Sequence, residues 1–125
     1  MRALSTLPIL LILAACNETC SDSEHQSLVS PDGTYRAILF DRNEGATTGF
    51  NTQVSLVDAN ECAMGVGNTF IADQGAKSGS WGGPWAEVHW IGPKRLVVRY
   101  DATARVFVKN AKVGDVQIIF EPAIT

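Results

Sequence analysis

The most regular feature of the chain is a series of short segments in which apolar and polar residues alternate. Because successive side chains of a strand point to opposite faces, this alternation predicts half-buried strands. About seven strands are predicted, at residues 35–40, 50–57, 68–72, 87–90, 95–100, 105–109 and 116–120. In the second of them the side chains expected to face the core are Phe50, Thr52, Val54 and Leu56. Those expected to face solvent are Asn51, Gln53 and Ser55.

The fold class follows from this pattern. No segment after residue 15 combines helical periodicity with caps and sufficient length, and alternation is typical of antiparallel sheets with one wetted face. We therefore predict an all-β domain, either a small antiparallel two-sheet sandwich or an open meander. It is expected to begin at the turn Ser30-Pro31-Asp32-Gly33, in which proline presets φ and glycine accepts a positive φ.

The N-terminal segment has a different pattern. Arg2 is followed by an apolar run at residues 7–13, and two alanines then precede Cys16. A basic start, a short apolar run and small residues are the layout of a secretory signal. The run is too short to span a bilayer, which takes about 20 apolar residues. With its cysteine, Leu13-Ala14-Ala15-Cys16 resembles the lipobox of bacterial lipoproteins.

The lipobox resemblance implies an address for the protein. Residues 1–15 would be removed as a signal peptide, and Cys16 would carry a diacylglycerol and a fatty acyl chain such as palmitate. Residue 17 is Asn rather than the Asp that commonly retains lipoproteins at the inner membrane. We therefore expect a lipid-anchored protein of the cell envelope, on the periplasmic face of the outer membrane if the host is Gram-negative. The alternative is an ordinary signal peptide that ends near a cysteine.

Charge and composition restrict the partners. Ten Lys and Arg residues oppose 13 Asp and Glu residues, and loss of Arg2 with the signal leaves the mature chain with a net charge of −4. The basic residues are scattered, so no electrostatic footprint for nucleic acid is present. Residues 16–29 are mostly polar and predict a lipidated tether. Residues 30–125 would then form a single domain.

Two cysteines remain if Cys16 is lipidated. Disulfides persist in the oxidising compartments to which a secretory signal leads. We therefore predict a Cys20–Cys62 disulfide, which would pin the end of the tether to the domain. The alternative is two reduced thiols, one buried and one on a mobile tether.

A longer resemblance lies within the domain. Residues 45–50 (Gly-Ala-Thr-Thr-Gly-Phe) and the following Thr52-Gln53-Val54-Ser55 come after the Ser-Pro-Asp-Gly turn and before a Leu-x-Val-x-Tyr-Asp strand at residues 96–101. In this order they resemble a group of small uncharacterised bacterial lipoproteins, over about residues 30–101. The group has no established function, so the resemblance implies no catalytic residue.

Two loops between the predicted strands are candidate ligand-binding elements, because binding residues concentrate in loops. In the first loop, Thr47 and Thr48 are candidates to bind an anion together with the loop amides. Their hydroxyls could equally satisfy the loop's own backbone. In the second, glycine-rich loop, Trp81 and Trp85 are candidates for an aromatic platform that binds a glycan, or they fold back as a lid on the sheet.

Catalytic chemistry has little support in the sequence. Asp41, His89 and Asp101 are the residues on which a small-ligand or hydrolase-like enzyme would depend, although Arg99 and Arg105 flank Asp101 and suggest a surface ion pair instead. The predicted domain holds one histidine and no Gly-x-Ser-x-Gly elbow. We therefore predict no catalytic residue, no metal and no cofactor.

The leading functional prediction is a lipid-anchored envelope protein that acts as a non-enzymatic binding or assembly module. Its expected partners are the membrane, through Cys16, and an envelope protein or glycan. The alternatives are the enzyme just described and a structural homo-oligomer that assembles through edge strands.

Overall fold

The structure, a computed structural model, describes residues 23–42 and 50–124. This part of the chain is all-β and contains nine strands and no helix. Their bounds are β1 (Glu24–Val29), β2 (Tyr35–Phe40), β3 (Asn51–Asp58), β4 (Phe70–Asp73), β5 (Ala86–Gly92), β6 (Arg95–Asp101), β7 (Arg105–Lys109), β8 (Lys112–Val113) and β9 (Val116–Ala123). The all-β prediction is confirmed, with two strands more than the seven predicted.

The strands form two sheets, one in the order β1-β2-β3-β4-β7 and the other in the order β5-β6-β9-β8. Neighbouring strands are antiparallel except β6 and β9, which pair in parallel. After β6 the chain crosses to the first sheet to form β7 and then returns, so that β9 enters from the same end as β6. Parallel neighbours require a crossover of this kind. The predicted two-sheet arrangement is therefore correct, and only this pair departs from the antiparallel pattern.

The core lies between the inner faces of the two sheets. It contains aliphatic side chains from both sheets around a group of aromatic rings. The centroid of the Phe70 ring lies 5.1 Å from that of Tyr100 and 6.1 Å from that of Phe120. Of the side chains predicted to face the core between residues 50 and 56, Thr52, Val54 and Leu56 are buried, whereas Phe50 is exposed. Burial of this apolar surface is the main stabilising term of the fold.

Strand β3 is buried on both faces, which the alternation did not predict. Gln53 and Ser55, expected to face solvent, are buried. The segment 59–69 that follows β3 turns back over this outer face. The backbone N–H of Gly67 donates to Oε1 of Gln53 (2.7 Å), and that of Asn68 donates to the hydroxyl of Ser55 (3.2 Å). Because both side chains bond to the covering segment, polar residues are stable at these buried positions.

Strand β1 covers residues that were predicted to form tether. The prediction of a tether over residues 16–29 is therefore wrong from Glu24 onward, whereas residues 16–22 lie outside the described residues. The side-chain amide of Gln26 donates to the carbonyl of Val88 on β5 (3.3 Å) and accepts from its N–H (2.9 Å). The indole N–H of Trp90 donates to the carbonyl of Leu28 (2.9 Å). These bonds join the edges of the two sheets. Together with the backbone pairing of β1 and β2, they explain why a polar segment forms a strand.

Replacing Gln26 with alanine is expected to lower the free energy of unfolding by about 1 kcal/mol, since both backbone groups of Val88 lose their partner. Urea unfolding of the purified mature protein measures the change. Gln117→Ala, at an exposed position of β9, is the matched control and is expected to have a much smaller effect. Equal effects of the two substitutions would contradict the role of Gln26.

Candidate functional site

The glycine-rich loop, residues 74–85, connects β4 to β5 and is anchored by the fully buried carboxylate of Asp101. The backbone N–H of Lys77 donates to Oδ2 of Asp101 (2.7 Å). The backbone N–H and the hydroxyl of Thr103 donate to Oδ1 (3.0 and 2.9 Å). The Thr103 hydroxyl also accepts from the N–H of Ala76 (2.7 Å). The first half of the loop is therefore fixed to the end of β6.

The pKa of Asp101 lies below its ordinary value. Burial alone would raise this pKa, because it disfavours the charged form. Hydrogen bonds from the Lys77 and Thr103 backbone and from the Thr103 hydroxyl favour the carboxylate and outweigh burial. Asp101 is therefore an ionised group that organises the backbone, and it is not accessible to a substrate.

The ion pair expected between Asp101 and its flanking arginines does not form, because backbone and hydroxyl donors satisfy the buried carboxylate. Arg99 instead contacts Glu87 (3.3 Å) and Glu121 (3.4 Å) on its own sheet. Arg105 pairs with a different aspartate, described below. Sequence proximity to Asp101 was thus a poor guide to the partners of both arginines.

The second half of the loop is held by Trp81. Its indole N–H donates to the hydroxyl of Thr52 (2.8 Å), and this buried hydroxyl donates to the carbonyl of Pro84 (2.5 Å). The ring of His25 stacks on the indole at a centroid distance of 4.5 Å and an angle of 14°. Position 79 must be glycine, because a Cβ there would lie 2.4 Å from the indole. Trp81 therefore packs against the sheet, and His25 covers one face of its ring.

Trp85 is the other tryptophan considered for a platform. It is half-buried, with the ammonium of Lys77 4.4 Å from its ring centroid and the guanidinium of Arg99 5.7 Å away. Cations at such distances are attracted to an aromatic face. Both tryptophans therefore already contact protein groups.

His25 and Asp41 form a polar pair that the sequence did not indicate. Nε2 of His25 lies 2.6 Å from Oδ1 of Asp41, and each side chain is 20% exposed. His25 lies at the register shift between Glu24 and Gln26 in β1, and Asp41 directly follows β2. His25 lies in the segment predicted to be a tether, so no local pattern in the sequence pointed to this pair.

A cleft of about 360 Å³ opens beside the glycine-rich loop and is lined in part by residues of that loop. The residues that carry its chemistry are Phe50, Asp73, Gln74, Ser78, Gly82 and Arg105. Arg105 makes two parallel bonds to Asp73, from Nε to Oδ1 and from NH2 to Oδ2, both of 2.8 Å. This bidentate geometry fixes both polar groups at the edge of the cleft.

Phe50 supplies the apolar wall of the cleft. It was predicted to face the core, but its side chain is 64% exposed because β3 begins only at Asn51. Its ring lies over Gly82, where a Cβ would come within 2.9 Å of it, so glycine is required there. Gln74, which also lines the cleft, has a φ of 59°, which is uncommon for a residue with a side chain. Such backbone strain clusters at functional sites.

The other predicted site residues do not converge. His89 is exposed and pairs across the sheet with Val97, four residues before Asp101 on β6, which corresponds to about 13 Å along the strand. Thr47 and Thr48 lie outside the described residues. Within residues 23–42 and 50–124, no three His, Cys, Asp or Glu side chains are grouped so that they could hold a metal ion.

Cys62 is the described half of the predicted disulfide. It lies half-buried in the segment that covers β3, and it is not a free thiol. Cys20 and Cys16 lie outside the described residues, so both the Cys20–Cys62 pairing and the lipidation of Cys16 stay predictions.

Comparisons with known proteins found no family model, no curated protein and no solved structure that matches this chain. The part of the chain that the structure describes contains no helix of the length and apolarity needed to cross a membrane.

Proposed function

We propose that this protein is a lipid-anchored module of the cell envelope that binds a glycan in the cleft beside the glycine-rich loop. The anchor is Cys16, at the end of Leu13-Ala14-Ala15-Cys16, and residues 1–15 are its signal peptide. Two or more acyl chains hold a protein stably in a bilayer, since each buried methylene contributes about 0.8 kcal/mol. In a Gram-negative host the protein would lie on the periplasmic face of the outer membrane.

The observation that carries the binding proposal is the construction of the cleft. Its apolar wall is an exposed aromatic ring, Phe50, and its edge carries the planar Asp73–Arg105 pair and the amide of Gln74. A sugar ring has an apolar C–H face and a rim of hydroxyls, which match an aromatic surface and planar hydrogen-bonding groups. A concave site with a few fixed polar groups is also the usual form of a ligand site. Asp101 and Trp81 fix the loop, so little ordering is needed on binding.

Replacing Phe50 with alanine is expected to weaken glycan binding at least tenfold, because the apolar face of the sugar loses its partner. The measurement is calorimetric titration of the mature protein with hexose and N-acetylhexosamine oligomers of two to six units. Ile91→Ala, at an exposed apolar position on the other sheet, is the control and is expected to change affinity less than twofold. The proposal fails if no oligomer binds, or if the Phe50 variant binds as tightly as the wild type.

We also propose that Cys20 and Cys62 form a disulfide. Ala63 lines the same small pocket as Ser23 and Glu24, so the neighbouring Cys62 lies near the point where the chain enters β1. Cys20 is only three residues before Ser23, which a chain spans in about 10 Å. Mass spectrometry of non-reduced peptides tests the pairing, and a Cys20 that alkylates without prior reduction would refute it.

The alternative functions have less support. An enzyme built on Asp41, His89 and Asp101 would need these side chains in one site, but Asp101 is buried and Asp41 is bonded to His25. Assembly through edge strands is disfavoured at β1 and β5, whose facing edges are joined by side-chain bonds. At β7 a register shift and terminal Arg and Lys residues oppose pairing with another chain.

A further inference from the structure

A second surface, separate from the glycan cleft, lies on the segment 59–69 that covers β3. Two apolar side chains project from it into solvent: Met64 is 83% exposed and Val66 is 64% exposed. The backbone beneath them is fixed, since the N–H of Gly67 and the side chain of Asn68 both bond to β3. These side chains are therefore held outward by an anchored segment.

The position of this surface relative to the start of the domain is informative. Ala63, directly before Met64, lines one pocket together with Ser23, Glu24 and Arg42. Ser23 is the first described residue, and it lies only seven positions after Cys16. Seven extended residues reach at most about 25 Å. An anchor on Cys16 therefore holds this side of the domain within about one bilayer thickness of the lipid surface.

The Cys20–Cys62 disulfide would shorten this distance further. With the bridge closed, the path from the anchor to segment 59–69 is the four residues from Cys16 to Cys20, about 14 Å when extended. The bridge would also select which face of the domain turns toward the bilayer. That face is the one that carries Met64 and Val66.

We propose that Met64 and Val66 insert into the lipid–water interface of the membrane that holds the anchor. The proposal rests on the lipid anchor of the proposed function. Interfacial segments bury apolar side chains about 5–10 Å into the headgroup boundary, which suits two side chains on a short projecting segment. Glu61 at the border of the same surface limits insertion to this shallow depth.

The anchor explains why so small a surface suffices. A tethered group meets its partner at an effective concentration in the millimolar range. The contact of Met64 and Val66 with the membrane therefore does not have to bring the protein to the membrane, because the anchor already does so. Within the part of the chain that the structure describes, no cluster of basic residues accompanies Met64 and Val66. The interaction is therefore expected to depend on apolar contact and to be insensitive to salt. Docking would hold the glycan cleft in one orientation relative to the membrane.

The test uses Met64, which is the only methionine of the mature chain because the other, Met1, belongs to the signal. Lipidated protein is reconstituted into phosphatidylcholine vesicles, checked by intact mass and flotation, and treated with hydrogen peroxide. Met64 sulfoxide formation is followed by mass spectrometry. The reference is a Cys16→Ser chain, secreted through an ordinary signal peptide and mixed with the same vesicles. We expect Met64 to oxidise at least fivefold more slowly in the lipidated protein.

Two controls make this result specific. Val66→Asp in the lipidated protein is expected to return the oxidation rate to within twofold of the reference. Carbethoxylation of His89, exposed on the other sheet, is expected to be unchanged by lipidation. Equal protection of His89 would show general occlusion by vesicles and overturn the proposal. If Met64 is also protected in the unlipidated chain, and this protection increases with protein concentration, then a second copy of the protein covers Met64. That result would also overturn the proposal.

The failure of docking and the failure of the anchor give different results. Protein that floats with vesicles but oxidises at the reference rate refutes docking and leaves the anchor intact. Protein that neither carries acyl chains nor floats refutes the anchor, and the docking proposal with it. The glycan titration is independent of both results.

Discussion

Replacing Asp101 with alanine is expected to lower the free energy of unfolding by about 3 kcal/mol, the largest effect of any single substitution considered for this protein. The substitution removes the buried acceptor of three hydrogen bonds, from the backbone N–H groups of Lys77 and Thr103 and from the Thr103 hydroxyl. A hydrogen bond to a charged group contributes about 1.5–3 kcal/mol. Asn is not a substitute, because both carboxylate oxygens accept and one would become a donor. Urea unfolding of Asp101→Ala and Asp101→Asn measures the loss.

Asp115→Asn is the matched control for this prediction. Asp115 also accepts bonds, from the hydroxyl of Tyr35 and the ammonium of Lys94, but it is exposed. Its substitution is expected to move the unfolding midpoint by only a small fraction of the shift seen at Asp101. Equal shifts at the two positions would show that burial of the Asp101 carboxylate is not what makes it important.

The depressed pKa of Asp101 gives this prediction a pH dependence. A carboxyl whose folded pKa lies below its unfolded value of 3.8 stabilises the fold fully above that value. The stabilisation is lost as pH falls below 3.8 and through the folded pKa. The difference in stability between the wild type and Asp101→Asn is therefore expected to be constant near neutral pH and to shrink in acid. A difference that persists below the folded pKa would contradict the role of the charge.

The sequence was sufficient where local alternation decides the structure. Strands β2 and β7 have the bounds that were predicted, because each is a run of apolar or alternating residues between turn signals. Strand β1 was not predicted, because the four polar residues Glu-His-Gln-Ser are typical of a solvent-exposed segment without regular structure. It is a strand because its backbone pairs with β2 and because Gln26 bonds to Val88, 62 residues away. No local pattern encodes such a contact.

The same limit applies to the candidate site. The sequence singled out the glycine-rich loop, which does lie beside the cleft, and its two tryptophans, which do not line it. It could not show that His25 covers Trp81, nor that Phe50 leaves the predicted strand face and becomes the exposed aromatic ring. Both outcomes depend on how segments that are distant in the sequence pack against each other. The alternation on β3 indicated only that one face of this strand is apolar. The polar residues of the other face are buried by segment 59–69.

Asp101 lies between these two cases, because a local pattern indicated its role but was read as something else. Its position after a predicted strand suggested a loop carboxylate available for chemistry, and flanking arginines suggested a surface ion pair. The structure gives it neither role, because three donors of the backbone and of Thr103 converge on it. An aspartate followed two residues later by threonine is a local pattern for turn formation. That pattern was the available signal for a structural role.

Replacing Thr52 with valine is the second large effect that we expect, about 2 kcal/mol of lost stability together with weaker glycan binding. Valine keeps the shape of threonine but removes a buried hydroxyl that accepts from Trp81 and donates to Pro84. The indole N–H and the Pro84 carbonyl would both lose a partner, and the cost of burying such groups unpaired exceeds that of the lost bonds. The second half of the glycine-rich loop would then lose its side-chain bonds to β3 and keep only backbone bonds within the loop, such as that from Gly79 to Gly83.

Thr52→Ser is the control that separates the hydroxyl from the methyl group. Serine retains both hydrogen bonds and is expected to cost less than half as much stability and to leave glycan affinity within twofold of wild type. Thermal unfolding and the calorimetric titration supply the two measurements, and red-shifted tryptophan emission should report the released indole in the valine variant alone. If valine lowers stability but leaves affinity unchanged, the Thr52–Trp81 contact supports the fold without positioning the cleft. Since Trp81 and the cleft residue Gly82 are adjacent, we expect the two losses to occur together.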